Sequence, residues 1–360
     1  MTTHVTRRGF VLGTAATAGA LSLAGPRAFA AEPLKIGFVY VGPVGDFGWT
    51  HGHDLGREAI VHQFGDKVET NYVENVAEGP DAERVIRKLA MSGHGLIFTT
   101  SFGYGTATIR VAKQFKKVKF EHATGSKTAP NVSIYNARFH EGRSVCGTIA
   151  GHLSKSGVIG YVCPFPIPEV VMGINAFTLA AQKVRPDIKV KVVWTNSWYD
   201  PGKEGDGAKA LIDQGADIIS THTDSPAALQ VAESRGVHGF GQASDMKAYA
   251  PKAQLTAILD DWTEYYVKRT QDVMDGTWKS QSIWWGLKEG MVKMAPYGPD
   301  VPDNVRAAAD ATRDGIIAGS LHPFTGPIKS NAGEDKIAAG QTMSDEDLQR
   351  IDWYVEGVEA

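Results

Sequence analysis

Residues 36–41, Ile-Gly-Phe-Val-Tyr-Val, form a continuous apolar run with one glycine. Such a run predicts a β-strand that is buried on both faces, as strands are in a parallel sheet. A helical pattern follows over about 53–63, then a strand pattern over 68–73 and a helical pattern over 81–91. The stretch therefore predicts repeated βαβ units and a doubly wound α/β fold.

The same alternation continues through two series of similar period. The patterns predict further strands over 96–99, 118–122, 158–162, 189–194, 217–220, 237–240, 255–259, 282–286 and 325–329. They predict further helices over 106–115, 143–153, 169–184, 203–213, 226–234, 262–274 and 301–318. Two similar α/β halves, each with its own sheet, predict two lobes with a cleft between them. We assign 31–145 plus 262–320 to the first lobe and 146–261 plus 321–360 to the second.

Residues 1–30 have the pattern of an export signal. Arg7 and Arg8 precede a weakly apolar stretch that ends at Leu23, and Ala28-Phe29-Ala30 is a small-x-small cleavage site. The paired arginines favour Tat export, and the Sec route is the alternative. We expect cleavage near Ala30 and a soluble mature chain in the periplasm.

The charge balance and the cysteines limit the partners and the chemistry. Removing three arginines from 37 basic residues leaves 34 against 40 acidic residues, a net charge of −6. A moderately acidic chain is a poor nucleic-acid binder, because phosphate binding needs clustered Lys and Arg. Cys146 and Cys163 could pair in an oxidising compartment. A Tat substrate folds before export, however, so the fold should not depend on a disulfide.

Motifs of the common enzyme classes are absent from the sequence. There is no G-x-x-x-x-G-K-[ST], no G-x-G-x-x-G after the first strand, no G-x-S-x-G and no H-E-x-x-H. His51 and His53 are two positions apart, which places their side chains on different faces of a helix and disfavours a metal site. We therefore expect no catalytic residues, no cofactor and no metal.

Polar and aromatic residues follow the carboxyl ends of several predicted strands, where open α/β sheets bind ligands. The candidates come from both halves of the chain: Asp46, Trp49, Phe102, Tyr104, Asn196, Trp198, Asp224 and Asp245. Aromatic rings with neighbouring carboxylates favour a flat ligand that has apolar faces and N–H donors on its rim.

Structural alternatives to these assignments stay open. Asp46 could fix a glycine-rich turn, and Asp224 could cap the helix that follows it. Trp49 and Trp198 could pack the lobes together. Asp200 precedes a proline, and we interpret it as a helix N-cap rather than as a ligand contact.

Six segments together resemble the basic membrane protein (BMP) family of ABC-importer binding proteins. The likeness extends from about Leu34 to Val358. The segments are Asp46–Arg57 (DFGWTHGHDLGR), Thr100–Tyr104 (TSFGY), Asn136–Arg143 (NARFHEGR), Phe165–Glu169 (FPIPE), Gly173–Phe177 (GINAF) and His222–Pro226 (HTDSP). The resemblance implies a type I periplasmic-binding-protein fold with three crossovers between the lobes. It also implies a monomer that serves an ABC permease in the inner membrane and performs no reaction.

The resemblance further implies a purine ligand that is stacked between one aromatic side chain from each lobe. Trp49 and Trp198 match those two positions. The three candidate aspartates would accept hydrogen bonds from the edge of the base. Phe102 and Tyr104 would wall the cleft, and Asn196 would supply a donor or an acceptor.

Two positions depart from the pattern of the nucleoside-binding relatives. These relatives usually have a ribose-holding lysine near the end of the strand that here reads Leu255–Asp260, and an acid where Ala243 stands. Asp260, with Asp261 beside it, takes the place of the lysine. The departures favour a free base such as adenine, guanine or hypoxanthine over a nucleoside. A sugar or another small polar solute is the alternative ligand, and a periplasmic nucleoside hydrolase is the alternative of another class.

Overall fold

The computed structural model describes residues 32–360, so the predicted export signal lies outside the described residues. The strands are β1 Leu34–Val39, β2 Val68–Val73, β3 Leu96–Thr99, β4 Lys119–Ala123, β5 Val132–Ala137, β6 Val158–Cys163, β7 Lys189–Trp194, β8 Ile218–Thr221, β9 His238–Gly241, β10 Gln254–Asp260, β11 Ser282–Trp285, β12 Val292–Met294, β13 Ile328–Lys329, β14 Asp335–Ile337 and β15 Val358–Glu359. The helices are α1 Gly48–Phe64, α2 Pro80–Met91, α3 Gly105–Gln114, α4 Phe139–Leu153, α5 Pro168–Val184, α6 Pro201–Asp213, α7 Ala227–Arg235, α8 Thr263–Met274, α9 Asp303–Ile317 and α10 Asp345–Leu348.

Two separate sheets carry the described chain. The first has the order β11-β5-β4-β3-β1-β2, and all its pairs are parallel. The second has the order β12-β10-β9-β8-β6-β7-β15, and it is parallel except where β12 pairs with β10. The predicted α/β class with parallel sheets is confirmed.

The local sequence explains where the strands and helices form. The apolar run at β1 is buried over its last four residues, and all four residues of β3 are buried, as expected for central parallel strands. The backbone N–H of Lys203 donates to the Asp200 side chain, with Pro201 at the first helical position of α6. The interpretation of Asp200 as an N-cap is thereby confirmed.

The chain passes between the two sheets three times within the described residues. It passes from β5 to α4, from β10 to α8 and from β11 to β12. All three connections leave the carboxyl ends of their strands. The residues at these ends therefore lie where the two lobes meet.

The tail divides differently from the assignment made on sequence. The sequence predicts that residues 262–320 belong to the first lobe. Within this range, however, only α8 and β11 belong to that lobe. β12 pairs with β10 of the second sheet, and α9 packs on α4, where the hydroxyls of Thr312 and Thr148 lie 3.0 Å apart. The chain thus enters the second lobe for the last time near Val292 rather than at 321. Helical periodicity shows that a helix has a buried face, but it does not show which sheet the helix covers.

The second lobe is built around α4, which is buried along most of its length. Gly147 and Gly151 let this helix lie directly against α5, because a Cβ on Gly147 would approach the Phe177 carbonyl oxygen to 2.2 Å. Cys146 and Cys163 are both buried as free thiols, and burial raises the pKa of Cys146 to about 12.

Candidate functional site: the cleft between the lobes

A cavity lies between the two sheets at the carboxyl ends of their strands. It offers about 370 Å³ of space free of protein atoms, including some that is open to solvent. Five lining residues come from each lobe: Val41, Trp49, Ser101, Phe102 and Thr124 from the first, and Glu169, Trp198, His222, Asp224 and Gln242 from the second.

The two lobes are in contact around this cavity. The backbone N–H of Gly48 donates to the Ser244 hydroxyl at 2.7 Å, and the Tyr249 hydroxyl donates to Asp46 at 2.5 Å. Both bonds join residues that are close to 200 positions apart in the sequence. The described conformation is therefore one in which the lobes have closed over the cleft.

Trp49 lies in the first turn of α1 and is held in place by its surroundings. Its Nε1 donates to the carbonyl oxygen of Thr100 at 2.7 Å. Its ring meets His53 and Trp262 edge to face, with centroid separations of 4.4 and 5.4 Å. Because its N–H group is already bonded, Trp49 offers the cavity an apolar ring surface that suits stacking.

Trp198 follows β7 and reaches the first lobe across the mouth of the cleft. Its Nε1 donates to Glu78 Oε1 at 3.2 Å, and its ring packs on Phe165 at 5.3 Å. The same Glu78 oxygen accepts from the Ser101 hydroxyl at 2.5 Å and from the Gly103 backbone at 3.0 Å. The first lobe thus presents a fixed acceptor that holds Trp198 over the cavity.

Asp224 follows β8 and lies at the contact between the lobes. Its backbone N–H donates to the Trp198 carbonyl oxygen at 3.0 Å. A Cβ on Gly48 would lie 2.6 Å from the Asp224 carbonyl oxygen, so only glycine fits there, at a φ of +79°. Burial raises the pKa of the Asp224 carboxyl well above its usual range, and neighbouring carboxylates raise it further.

Asp260 ends β10 at the second passage between the lobes and is 6% exposed. Neither of its carboxylate oxygens has a hydrogen-bond partner among residues 32–360. Burial raises its pKa well above the usual range, although Arg143 opposes this rise. Its charge also raises the pKa of Asp224. A buried carboxylate without a donor is unfavourable, so Asp260 is an acceptor that a ligand N–H or O–H could satisfy.

His222 and Glu169 form a second polar group in the cavity wall. His222 Nε2 lies 3.6 Å from Glu169 Oε1, and Asn136 of the first lobe donates to Glu169 Oε2 at 3.1 Å. The second ring nitrogen of His222 is buried and has no partner among the described residues. Burial lowers the pKa of His222, which favours the neutral ring.

Four of the eight residues chosen from the sequence meet in this cavity: Trp49, Phe102, Trp198 and Asp224. The other four lie elsewhere, and each has a structural reason. Tyr104 is fully buried in the core of the first lobe, where its hydroxyl donates to the Val76 carbonyl oxygen at 2.6 Å. Asp46 is exposed at the rim, where it accepts from Tyr249.

Asn196 and Asp245 are exposed outside the cavity wall. Asn196 adopts a φ of +52°, a turn conformation that asparagine tolerates well. Asp245 accepts from Gln254 Nε2 at 2.6 Å and from the Lys247 backbone at 3.0 Å, so it fixes its own loop. The structure does not bring these two residues, or Asp46 and Tyr104, into the cavity wall.

Among residues 32–360, no group of three or more His, Cys, Asp or Glu side chains could hold a metal ion. No helix in that part of the chain is long and apolar enough to cross a membrane.

The family model for Bmp, described as ABC transporter substrate-binding protein PnrA-like, matches residues 34–318. The chain belongs to this family. The family is one of solute-binding transport proteins, and its members work with ABC permeases.

Three curated relatives show the range of ligands in their names. A purine-binding protein of Brucella abortus is 58% identical over 93% of this chain and 95% of its own. A putative ABC transporter glucose-binding protein of Haloferax volcanii is 36% identical over 91% of this chain and 81% of its own. A nucleoside-binding protein of Lactococcus lactis is 23% identical over 63% of this chain and 59% of its own.

Solved structures of solute-binding proteins share the fold. One from Aeropyrum pernix has a TM-score of 0.71 at 18% identity and covers 88% of this chain and 95% of its own. One from Conexibacter woesei has a TM-score of 0.63 at 22% identity and covers 80% of this chain and 98% of its own. The type I periplasmic-binding-protein fold expected from the sequence is confirmed.

Proposed function

We propose that this protein captures a free purine base in the cleft and delivers it to an ABC permease without altering it. The observation that carries the proposal is Asp260, a buried carboxylate that has no donor among residues 32–360 and whose charge raises the pKa of Asp224 in the wall of the aromatic-lined cavity. The rim of a purine base carries N–H groups, and its faces suit stacking between Trp49 and Trp198. The purine-binding relative from Brucella supports this ligand class.

A free base fits the chemistry of this cleft better than a nucleoside. The family resemblance implies that Asp260, at the end of β10, replaces the ribose-holding lysine of nucleoside-binding members. It also implies that Ala243 replaces an acid, and the Ala243 side chain cannot bond a ribose hydroxyl. Adenine, guanine and hypoxanthine are the bases we favour.

Binding selects the closed state, because a ligand touches both tryptophans only when the lobes meet. The permease would recognise this closed shape. Export to the periplasm, with cleavage near Ala30, and a monomeric state complete the proposal.

A sugar is the second candidate ligand. The relative from Haloferax that is named as a putative glucose-binding protein favours it. Sugars also stack on tryptophan and donate hydroxyl hydrogen bonds to carboxylates, so the cleft chemistry alone separates the two classes weakly.

The test is a thermal-shift series on the chain without residues 1–30, against purine bases, purine nucleosides and glucose. A ligand that binds only the folded state raises the melting temperature by mass action, by about 2.7 kcal/mol of added stability at 100 times Kd. We expect a large shift with at least one base and little with its nucleoside. A shift with glucose alone would replace the purine by a sugar, and a shift with nucleosides alone would restore the ribose.

A further inference from the structure

Gln242 is a cavity residue whose amide can be oriented from its surroundings. It follows β9 and is 3% exposed. Oxygen and nitrogen of a glutamine amide look alike in shape, so the hydrogen-bond network has to decide which way the group points. The deciding neighbour here is Arg143 of α4.

Arg143 is fully buried and donates from Nη2 to Gln242 Oε1. Its Nη1 lies 3.5 Å from the Ser220 hydroxyl, and its guanidinium lies 5.5 Å from the centre of the Tyr161 ring. A guanidinium has only N–H donors and stays protonated, so it accepts no hydrogen bond from an amide N–H. Gln242 must therefore turn its oxygen towards Arg143.

The amide nitrogen of Gln242 is left for the cavity. No residue within 32–360 accepts a hydrogen bond from Nε2, and Gln242 belongs to the cavity wall. The wall also contains the acceptors Asp224 and Glu169, and Asp260 stands close by. The cleft thus presents a fixed N–H donor among carboxylates.

We propose that Gln242 is a specificity-determining residue that donates from Nε2 to an acceptor atom on the purine base, and that Arg143 is the positioning residue that fixes this orientation. The inference rests on the proposed function, because it assigns an atom of the same site. It selects ligands whose rim alternates a lone-pair acceptor with N–H donors. A purine edge has this pattern, with unprotonated ring nitrogens or a ring carbonyl beside its N–H groups.

The experiment compares the wild type with Q242E and Q242L by calorimetric titration of adenine, guanine and hypoxanthine. Q242E keeps the length of the side chain and the contact with Arg143 but places a second acceptor where the donor was. Q242L keeps the bulk and removes the donor. The matched control is Q230E, a change at an exposed glutamine of α7 in the same lobe.

We expect Q242L to lower the affinity for the base about tenfold, which corresponds to the loss of one buried hydrogen bond. Q242E should weaken it more, because two acceptors then face each other. Q230E should bind like the wild type. Melting curves without ligand establish that each variant is folded. Wild-type affinity in Q242E would overturn the assignment, because the mutant keeps the bond to Arg143 but presents a carboxylate oxygen where the donor was.

The acceptor atom is identified with the three deaza analogues of adenine in which one of the three unprotonated ring nitrogens is replaced by C–H. If adenine binds, one analogue should bind the wild type about tenfold more weakly than adenine does. The same analogue and adenine should bind Q242L with equal affinity. Equal binding of all three analogues to the wild type contradicts a bond from Gln242. For guanine and hypoxanthine the Q242E and Q242L titrations decide alone.

The role of Arg143 is tested by R143K and R143M with the same titrations. R143K keeps a cationic donor and should retain most of the discrimination between adenine and its weakest analogue. R143M lets the amide turn and should reduce that discrimination. Retention of full discrimination in a folded R143M protein would refute the positioning role. If R143M does not fold, Q242E decides the donor assignment and R143Q replaces R143M in the positioning test, because a glutamine amide can donate or accept and so does not fix the orientation of Gln242. A wild type that binds none of the three bases would remove the proposed function itself, whereas bases that bind wild type and Q242E equally would remove only this inference.

Discussion

Two buried carboxylates, Glu121 and Asp260, show how this fold separates structure from function. Glu121 lies in the middle of β4 and is 0% exposed. It accepts from Tyr265 at 2.6 Å, from Arg269 at 2.8 Å and from Trp278 at 2.6 Å. Asp260 is nearly as buried but lies at the end of β10, and no described residue donates to it.

The difference follows from position along the strand. A carboxylate in the middle of a strand can be surrounded by partners from its own lobe, which makes it part of the lobe's core. A carboxylate at the end of a strand faces the gap between the lobes, where partners can come from a ligand. Burial alone is therefore a poor guide to function, and burial without a partner is a better one.

The largest effect expected from this comparison is on stability. E121A leaves Arg269 buried without its carboxylate and should lower the free energy of unfolding by about 3–5 kcal/mol. D260N should leave that free energy unchanged or raise it, because it removes a buried charge that has no partner. Urea denaturation of the two variants without ligand measures both. Equal destabilisation by E121A and D260N would mean that Asp260 is also a structural carboxylate.

The second effect is on ligand binding, where a change at Asp260 should matter more than a change at Glu121. D260N should weaken binding of the purine base by about 1.5–3 kcal/mol, the range for a hydrogen bond to a charged group. Glu121 makes its bonds within the first lobe, so E121Q protein that remains folded should bind like the wild type. Calorimetric titration at a temperature well below both melting points makes the comparison. D260N with unchanged affinity would exclude Asp260 from the site.

A third prediction compares two tryptophans of similar partial burial. W198A should weaken binding of the base by roughly 1–3 kcal/mol, through lost ring contact and burial. Trp353 makes a cation–π contact with Lys336 in the carboxyl-terminal segment, away from the cleft. W353A should therefore leave the affinity unchanged. Unchanged affinity in W198A would refute stacking by this residue.

The smallest effect is a proton released on binding. Burial raises the pKa values of Asp224 and Asp260 in the protein without ligand. Donors on a ligand stabilise the ionised carboxylates and so lower these pKa values in the complex. Between the lower, bound pKa and the higher, free pKa, binding therefore expels a proton, and affinity rises with pH.

Titrations in buffers of different ionisation enthalpy should show this release, and D260N should reduce it. Without ligand the same two groups act in the opposite direction on folding. A carboxyl with a raised pKa favours the folded state at low pH, and this contribution is lost as pH rises through the folded pKa. Uptake of a proton on binding would contradict the assignment of these carboxylates as acceptors.

Much of the fold could be predicted from the sequence, because short apolar runs such as β1 and β3 alternate with longer helical patterns. β5 was missed because only a short loop separates it from β4 and no helix marks the βαβ period. β12 was missed because it is three residues long. The lobe to which α9 belongs could not be predicted, since it depends on contacts with α4 that no local pattern records.

The site was predicted less completely. The rule that ligands bind at strand carboxyl ends found Trp49, Trp198 and Asp224, which follow strands at the right edge. The rule does not distinguish a side chain that faces the cavity from one that turns back to cap its own loop, as Asp245 does. Gln242 also follows the carboxyl end of a strand, but its role depends on its contact with Arg143 of α4, 99 positions away, which no local pattern records.

The central claim is that a purine base fills the cleft and supplies the donors that Asp260 lacks. A crystal structure of the chain without residues 1–30, grown with adenine, guanine or hypoxanthine, tests it most directly. The account predicts a base between Trp49 and Trp198 with an N–H group within hydrogen-bond distance of Asp260 or Asp224. A base bound elsewhere, or a cleft in which Asp260 is satisfied by a protein donor, would contradict it.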